Sequence, residues 1–188
     1  FDQSPAKALA TGQRHTHFVS RSSAATNQPL RLTLVWTDPP GNPAASLKLV
    51  NNLDLVVTNL ATGDVFFGND FPLGSGFNRA WDTNTPPNLD VVDNVENVYL
   101  SPTNATNYSV TVIAHDVNVN AVTARTNSVV QDYALIISSG DGQVADALTV
   151  TDAPIASVTS VSVTFITNSF APGQGISGGL LLNQRVGA

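Results

Sequence analysis

The chain has 188 residues, a formal net charge of −6, 42% hydrophobic but only 12% charged side chains, and neither cysteine nor methionine. That length allows one well-buried β-sandwich with residues to spare. The acidic balance and the lack of a Lys/Arg cluster argue against a nucleic-acid or anionic-membrane partner, no apolar run reaches the length of a membrane span, and disulfides are excluded.

Period-two alternation dominates in chain order. Gln13 to Ser20 puts His15, His17 and Val19 on one face, and the two histidines read as half-exposed strand residues. Leu30 to Trp36 lines up Leu30, Leu32, Leu34 and Trp36, which makes Trp36 a predicted core residue. Leu53, Leu55 and Val57 alternate against Asp54, Val56 and Thr58, and Thr62-Gly63-Asp64 reads as a hairpin turn into Val65-Phe66-Phe67. From Gly68 to Asn94 no period is sustained, and a loop of that length is either functional or pinned by something other than a core. Its aromatic neighbourhood, Phe66, Phe67, Phe71, Phe77 and Trp81, is predicted to form a satellite core in preference to a sugar-binding platform.

Val95 to Leu100, Tyr108 to Ala114 and Asp132 to Ile137 complete the main set. The predicted fold is all-β, a jelly-roll sandwich of about eight strands over residues 1–140. Past the break at Gly140, Ala147 to Val150 and Val158 to Phe165 read as fresh strands, so residues 141–188 are extra strands or the start of a further domain. Phe at position 1 and the absence of methionine mark a mature or excised piece of something larger, whose targeting segment would be out of view.

Between the apolar strands lie short acidic clusters: Trp36-Thr37-Asp38, Asn51-Asn52-Leu53-Asp54, Gly68-Asn69-Asp70, Trp81-Asp82 and Asp93-Asn94-Val95-Glu96. Glu96 is the only glutamate in the chain. Short carboxylates at strand ends cap turns or offer hard oxygen to a cation, and calcium wants six to eight such oxygens. The candidate metal ligands are Asp38, Asn52, Asp54, Asp93 and Glu96, as a discontinuous site, because EF-hand spacing is absent.

Leu34-Val35-Trp36-Thr37-Asp38, Val50-Asn51-Asn52-Leu53-Asp54-Leu55, Gly68-Asn69-Asp70, Asp93-Asn94-Val95-Glu96-Asn97-Val98, Tyr108-Ser109-Val110-Thr111-Val112 and Gln131-Asp132-Tyr133-Ala134-Leu135 occur in that order. Together, over roughly Thr11 to Ser139, they resemble the β-sandwich domain that follows the catalytic domain in secreted bacterial subtilisin-like serine proteases. The resemblance implies a jelly roll related to the P domain of proprotein convertases, often carrying calcium. Where this chain has Asn52 the family commonly has Asp, which removes one charge from the ligand set.

The catalytic motifs of subtilases are missing, and Gly74-Ser75-Gly76 lacks the strand–turn–helix setting of a nucleophile elbow. His15 and His17 share a face but have no third His or Cys nearby in sequence to complete a zinc site. The expectation is a non-catalytic accessory domain, secreted or at the cell surface, calcium-bound, and stabilising a catalytic protease domain in the same parent chain. It would also help to position protein substrate. The rival reading is a carbohydrate- or cell-surface-binding module.

Overall fold

Leu30, Leu32 and Leu34 alternate so strictly that one face of their strand is fully buried and the other faces out, and the same rhythm builds both layers of a sandwich. A computed structural model describes residues 4–102, 105–139 and 148–152. Its strands are β1 (Arg14–Arg21), β2 (Leu30–Val35), β3 (Asn51–Asn59), β4 (Val65–Phe67), β5 (Val95–Leu100), β6 (Asn107–Val117), β7 (Ala134–Ser139) and β8 (Leu148–Asp152). One sheet runs β4-β3-β6-β1-β8 and the other β5-β2-β7, every described pairing being antiparallel. The all-β sandwich is therefore as expected.

Pairing is nested: β1 with β8, β2 with β7 and β3 with β6, as when one long hairpin is rolled up. The nesting stops at the tip, where β4 pairs with β3 and β5 with β2 instead of with each other. Leu148–Asp152 thus extends the larger sheet; the break at residues 140–147 and the strand predicted at Val158 to Phe165 lie outside the described residues.

The core joins Leu30, Leu32 and Leu34 of β2 to Leu53, Leu55 and Val57 of β3, Val98 and Leu100 of β5, and Val110, Val112 and Ala114 of β6. Each of the leucines and valines contributes roughly 1.5–3 kcal/mol by leaving water. Trp36 continues the β2 face and is buried as predicted, its indole N–H donating to the Asn51 carbonyl at 2.8 Å. The hairpin at Gly63 (φ +80°) closes with Gly63 N–H donating to Asn59 O.

The long loop from Gly68 to Asn94 is held by asparagines that imitate a neighbouring strand along β5. Asn69 N–H donates to Asn97 O while Asn97 N–H donates to Asn69 Oδ1, and Asn78 repeats the exchange with Tyr99. Asn69 manages this in the left-handed region (φ 57°), which Asn tolerates better than most residues. The edge of β5 is thereby covered against pairing with other chains. The aromatic residues pack in separate pairs and not as one satellite core: Phe67 is edge-on to Trp81 and Phe71 to Tyr99, both at 5.6 Å, Phe66 packs against the main core, and the Trp81 N–H donates to Thr85 O.

Candidate functional site

The acidic residues separate into distinct environments. Asp38 uses both carboxylate oxygens as a clasp, accepting from Val50 N–H (2.9 Å) and Asn51 N–H (2.7 Å) and so closing the loop between β2 and β3. Asp93 is exposed, and its own N–H donates to Asp90 Oδ1 in a turn. Asn52 and Asp54, by contrast, share one face of β3 and each keeps a buried oxygen, and Glu96 reaches an edge of that strand at the Leu55 N–H, where it feels the charge of Asp54.

That edge exists because β4 is short. The β3–β4 ladder ends with Gly68 N–H donating to Leu55 O, after which the chain turns away and would leave the Leu55 N–H without a partner. Glu96 supplies one: its Oε2 accepts that bond at 2.6 Å. It can approach only because residue 68 is glycine, since a Cβ there would stand 2.0 Å from Glu96 Oε2. Glu96 lies on the inward face of β5 with Val98 and Leu100 and is 1% exposed. Burial above all, eased by the Leu55 N–H and then worsened by the charges of Asp54 and Asp90, pushes its carboxyl up to about 9, so the acid holds its proton at neutral pH.

Asp54 lies on the face of β3 opposite Leu53 and Leu55, which alternation alone would leave to solvent, yet it is 3% exposed. A β-bulge explains part of this: Asn52 pairs with Asp116 and Leu53 with Ala114, so His115 is the extra residue. Its Nδ1 stands 2.9 Å from Asp54 Oδ2. Burial raises the Asp54 carboxyl, the His115 contact opposes the rise, and the charges of Asp116 and Asp90 add to it. Asp54 Oδ1 and Asn52 Oδ1 are both buried without a hydrogen-bond partner.

A hard cation is the group this edge could hold. Its donors are all oxygen, two of them are buried and unsatisfied, and the carboxyls of Asp54 and Glu96 interact with Asp90. Among the described residues no three His, Cys, Asp or Glu side chains already converge as a metal centre, so the Asn52 amide oxygen and backbone carbonyls would have to complete the shell.

Sequence reasoning assigned no role to Gly68, Asp90, His115, Asn51 or Gln131. Asn51 is fully buried and bonded at every polar atom of its side chain. Its amide donates to Val119 O and Gln131 Oε1, and its Oδ1 accepts from the N–H groups of Asn118 and Val119. A readable signal existed, because Asn51 falls two before Leu53 on the core-facing parity of β3. The bulge at His115 and the approach of Asp90 left no comparable mark.

The three histidines of the chain are engaged away from Ser75, His115 with Asp54 and His15 and His17 with Tyr133. Ser75 itself closes an exposed turn on Phe77, donating to its carbonyl and accepting from its N–H. The expectation that His15 and His17 are half-exposed does not hold for His17, which is 8% exposed, because Tyr133 and Asp152 arrive from distant sequence.

No family model matches the chain. Part of it is similar to segments of serine protease/ABC transporter B family proteins of Dictyostelium discoideum, at 39% identity over 102 residues for tagD and 38% over 86 residues for tagB. For tagA the identity is 38% over 63 residues. These matches cover 51%, 45% and 32% of this chain but only 5%, 4% and 3% of the respective relatives. The chain is thus similar to a small part of proteins whose names join a serine protease to a transporter.

Proposed function

We propose that this sandwich is a non-catalytic accessory module of a serine-protease-containing parent protein, secreted or at the cell surface, that stabilises the protease domain and binds calcium at the β3 edge. The similarity of half the chain to segments of proteins named as serine proteases carries the protease link. The two unsatisfied buried oxygens, Asn52 Oδ1 and Asp54 Oδ1, support the calcium site. Asn52, Asp54 and Glu96 would hold the ion, which would offset the charge of Asp54 and of the newly ionised Glu96 near Asp90 and tie the start of β5 to β3. Asp38 and Asp93, drawn into the candidate set by their strand-end positions, would act as turn clasps beside it.

A metal ligand must be deprotonated, so calcium would displace the Glu96 proton and bind more weakly in acid. Extracellular modules commonly have dissociation constants of roughly 10⁻⁴–10⁻³ M, and calcium at 100 times that constant adds about 2.7 kcal/mol. The test is a thermal melt at pH 7.5 in excess calcium against excess chelator, where a shift of several degrees is expected and Asp54→Asn should remove most of it. Superimposable wild-type curves would reject the calcium site. The accessory role is checked separately by the thermal inactivation of the parent protease with and without the module; equal rates would reject it. Serine-inhibitor-sensitive cleavage of casein by the isolated chain would overturn the non-catalytic assignment.

A further inference from the structure

β1 carries His15 and His17 two residues apart, both turned to the face that holds Val19. Around them runs a chain of hydrogen bonds that joins three segments. His17 Nδ1 stands 2.7 Å from Asp152 Oδ1 on β8 and its Nε2 3.4 Å from the Tyr133 hydroxyl just before β7. The same hydroxyl stands 3.1 Å from His15 Nδ1. Tyr133 is 5% exposed, and burial followed by the charge of Asp152 keeps its phenol protonated.

Counting protons limits what this chain can hold. Asp152 as a carboxylate only accepts, so His17 Nδ1 carries a hydrogen and donates. The Tyr133 hydroxyl has one hydrogen to give. With both imidazoles neutral, it donates to His17 Nε2 and accepts from His15 Nδ1–H. With His17 charged, the direction reverses and it donates to a bare His15 Nδ1. With both imidazoles charged, every ring nitrogen is a donor, and the buried hydroxyl hydrogen has no acceptor between them. The run takes up one proton intact and cannot take up a second.

We infer that Asp152, His17, Tyr133 and His15 form a one-proton latch that clamps strand β8 to the sandwich at neutral pH and gives way in acid. Among the described strands β8 pairs only with β1, and its Leu148 and Val150 pack, partly buried, against the core. Among the described residues, the charged and titratable groups acting on His15 include His17 on its own strand, Lys7 from the 3₁₀ turn Pro5–Lys7, Asp152 from β8 and Tyr133; on β6, Val112 and Val110 lie opposite the two histidines. Burial first, then His17 and Lys7, lower the His15 pKa against the opposing pull of Asp152. A depressed folded pKa on a base means that stability is complete above the unfolded value near 6.5 and is lost as pH falls below it.

The test uses the whole 188-residue chain. Amide hydrogen exchange of residues 148–152, corrected for intrinsic rates, is followed from pH 7.5 to pH 5 in wild type and in His15→Gln. An opening that takes up one proton becomes more populated by about tenfold per pH unit below the imidazole range. That slope is expected in wild type. It should flatten in His15→Gln, whose amide oxygen still accepts the Tyr133 hydrogen but takes up no proton. Equal slopes in the two proteins would overturn the latch. Nitrogen-15 titration of the wild-type imidazoles decides the matter without a variant: the second protonation is expected to coincide with β8 opening, and two independent titrations with β8 exchange unchanged would also overturn it.

Discussion

Replacing Glu96 by Gln should make the calcium-free protein more stable at neutral and alkaline pH, against the usual expectation for a buried residue. In the folded state burial holds the Glu96 carboxyl at about 9, while in the unfolded chain it returns to its ordinary value of 4.5. The folded state therefore binds more protons than the unfolded state between those values. For an acid whose folded pKa is raised, the contribution is complete below 4.5 and is lost as pH climbs toward 9, at about 1.4 kcal/mol per unit. From pH 5 to pH 8 that amounts to roughly 3–4 kcal/mol, a large fraction of the 5–15 kcal/mol that keeps a domain folded.

Gln has nearly the same shape, still accepts the Leu55 N–H through its carbonyl oxygen, and does not titrate. Urea unfolding in chelator at half-unit steps of pH isolates the effect. Asp54, raised in the same direction, and His15, shifted in the opposite one, are present in both proteins and largely cancel in the difference. The variant and wild type should be close at pH 5 and diverge by about 3 kcal/mol by pH 8. Curves that stay parallel across this range would show that Glu96 is ionised in the fold and refute the reasoning. In saturating calcium the sign should invert, because the amide offers a neutral oxygen where the ion prefers a carboxylate.

Asn51→Ala should cost about 3–5 kcal/mol in urea unfolding, since it strands the buried Gln131 Oε1 and frees the Asn118–Val119 turn; a loss under 1 kcal/mol would show that water replaces the amide easily. Gly68→Ala should cost about 2–4 kcal/mol by driving Glu96 off Leu55. Adding Glu96→Ala to it should recover part of that loss, and strictly additive losses would mean that the two residues do not collide.

The strands, the inward leucines and the buried Trp36 were legible because side-chain direction along a strand has period two, so burial is written in neighbouring residues. The hairpin at Gly63 was equally local, resting on a positive φ. The parity that places Leu53, Leu55 and Val57 in the core also places Asn51 there, which made its buried amide readable in principle. Sheet order, and the character of the acidic residues, were not. Asp38 and Asp54 look alike in sequence, yet one clasps two backbone N–H groups and the other keeps a buried oxygen without a partner. Part of the burial of Asp54 comes from a bulge at His115, 61 residues further along the chain. Glu96 likewise reads as a strand-start acid until β4 stops at Phe67 and leaves the Leu55 N–H to be met. His15 and His17 gain Tyr133 and Asp152 only when β7 and β8 come home, 116 and 135 residues after His17. Local pattern records which way a residue points; how far its proton is held, and by what, depends on desolvation by segments that only the closed sandwich brings together.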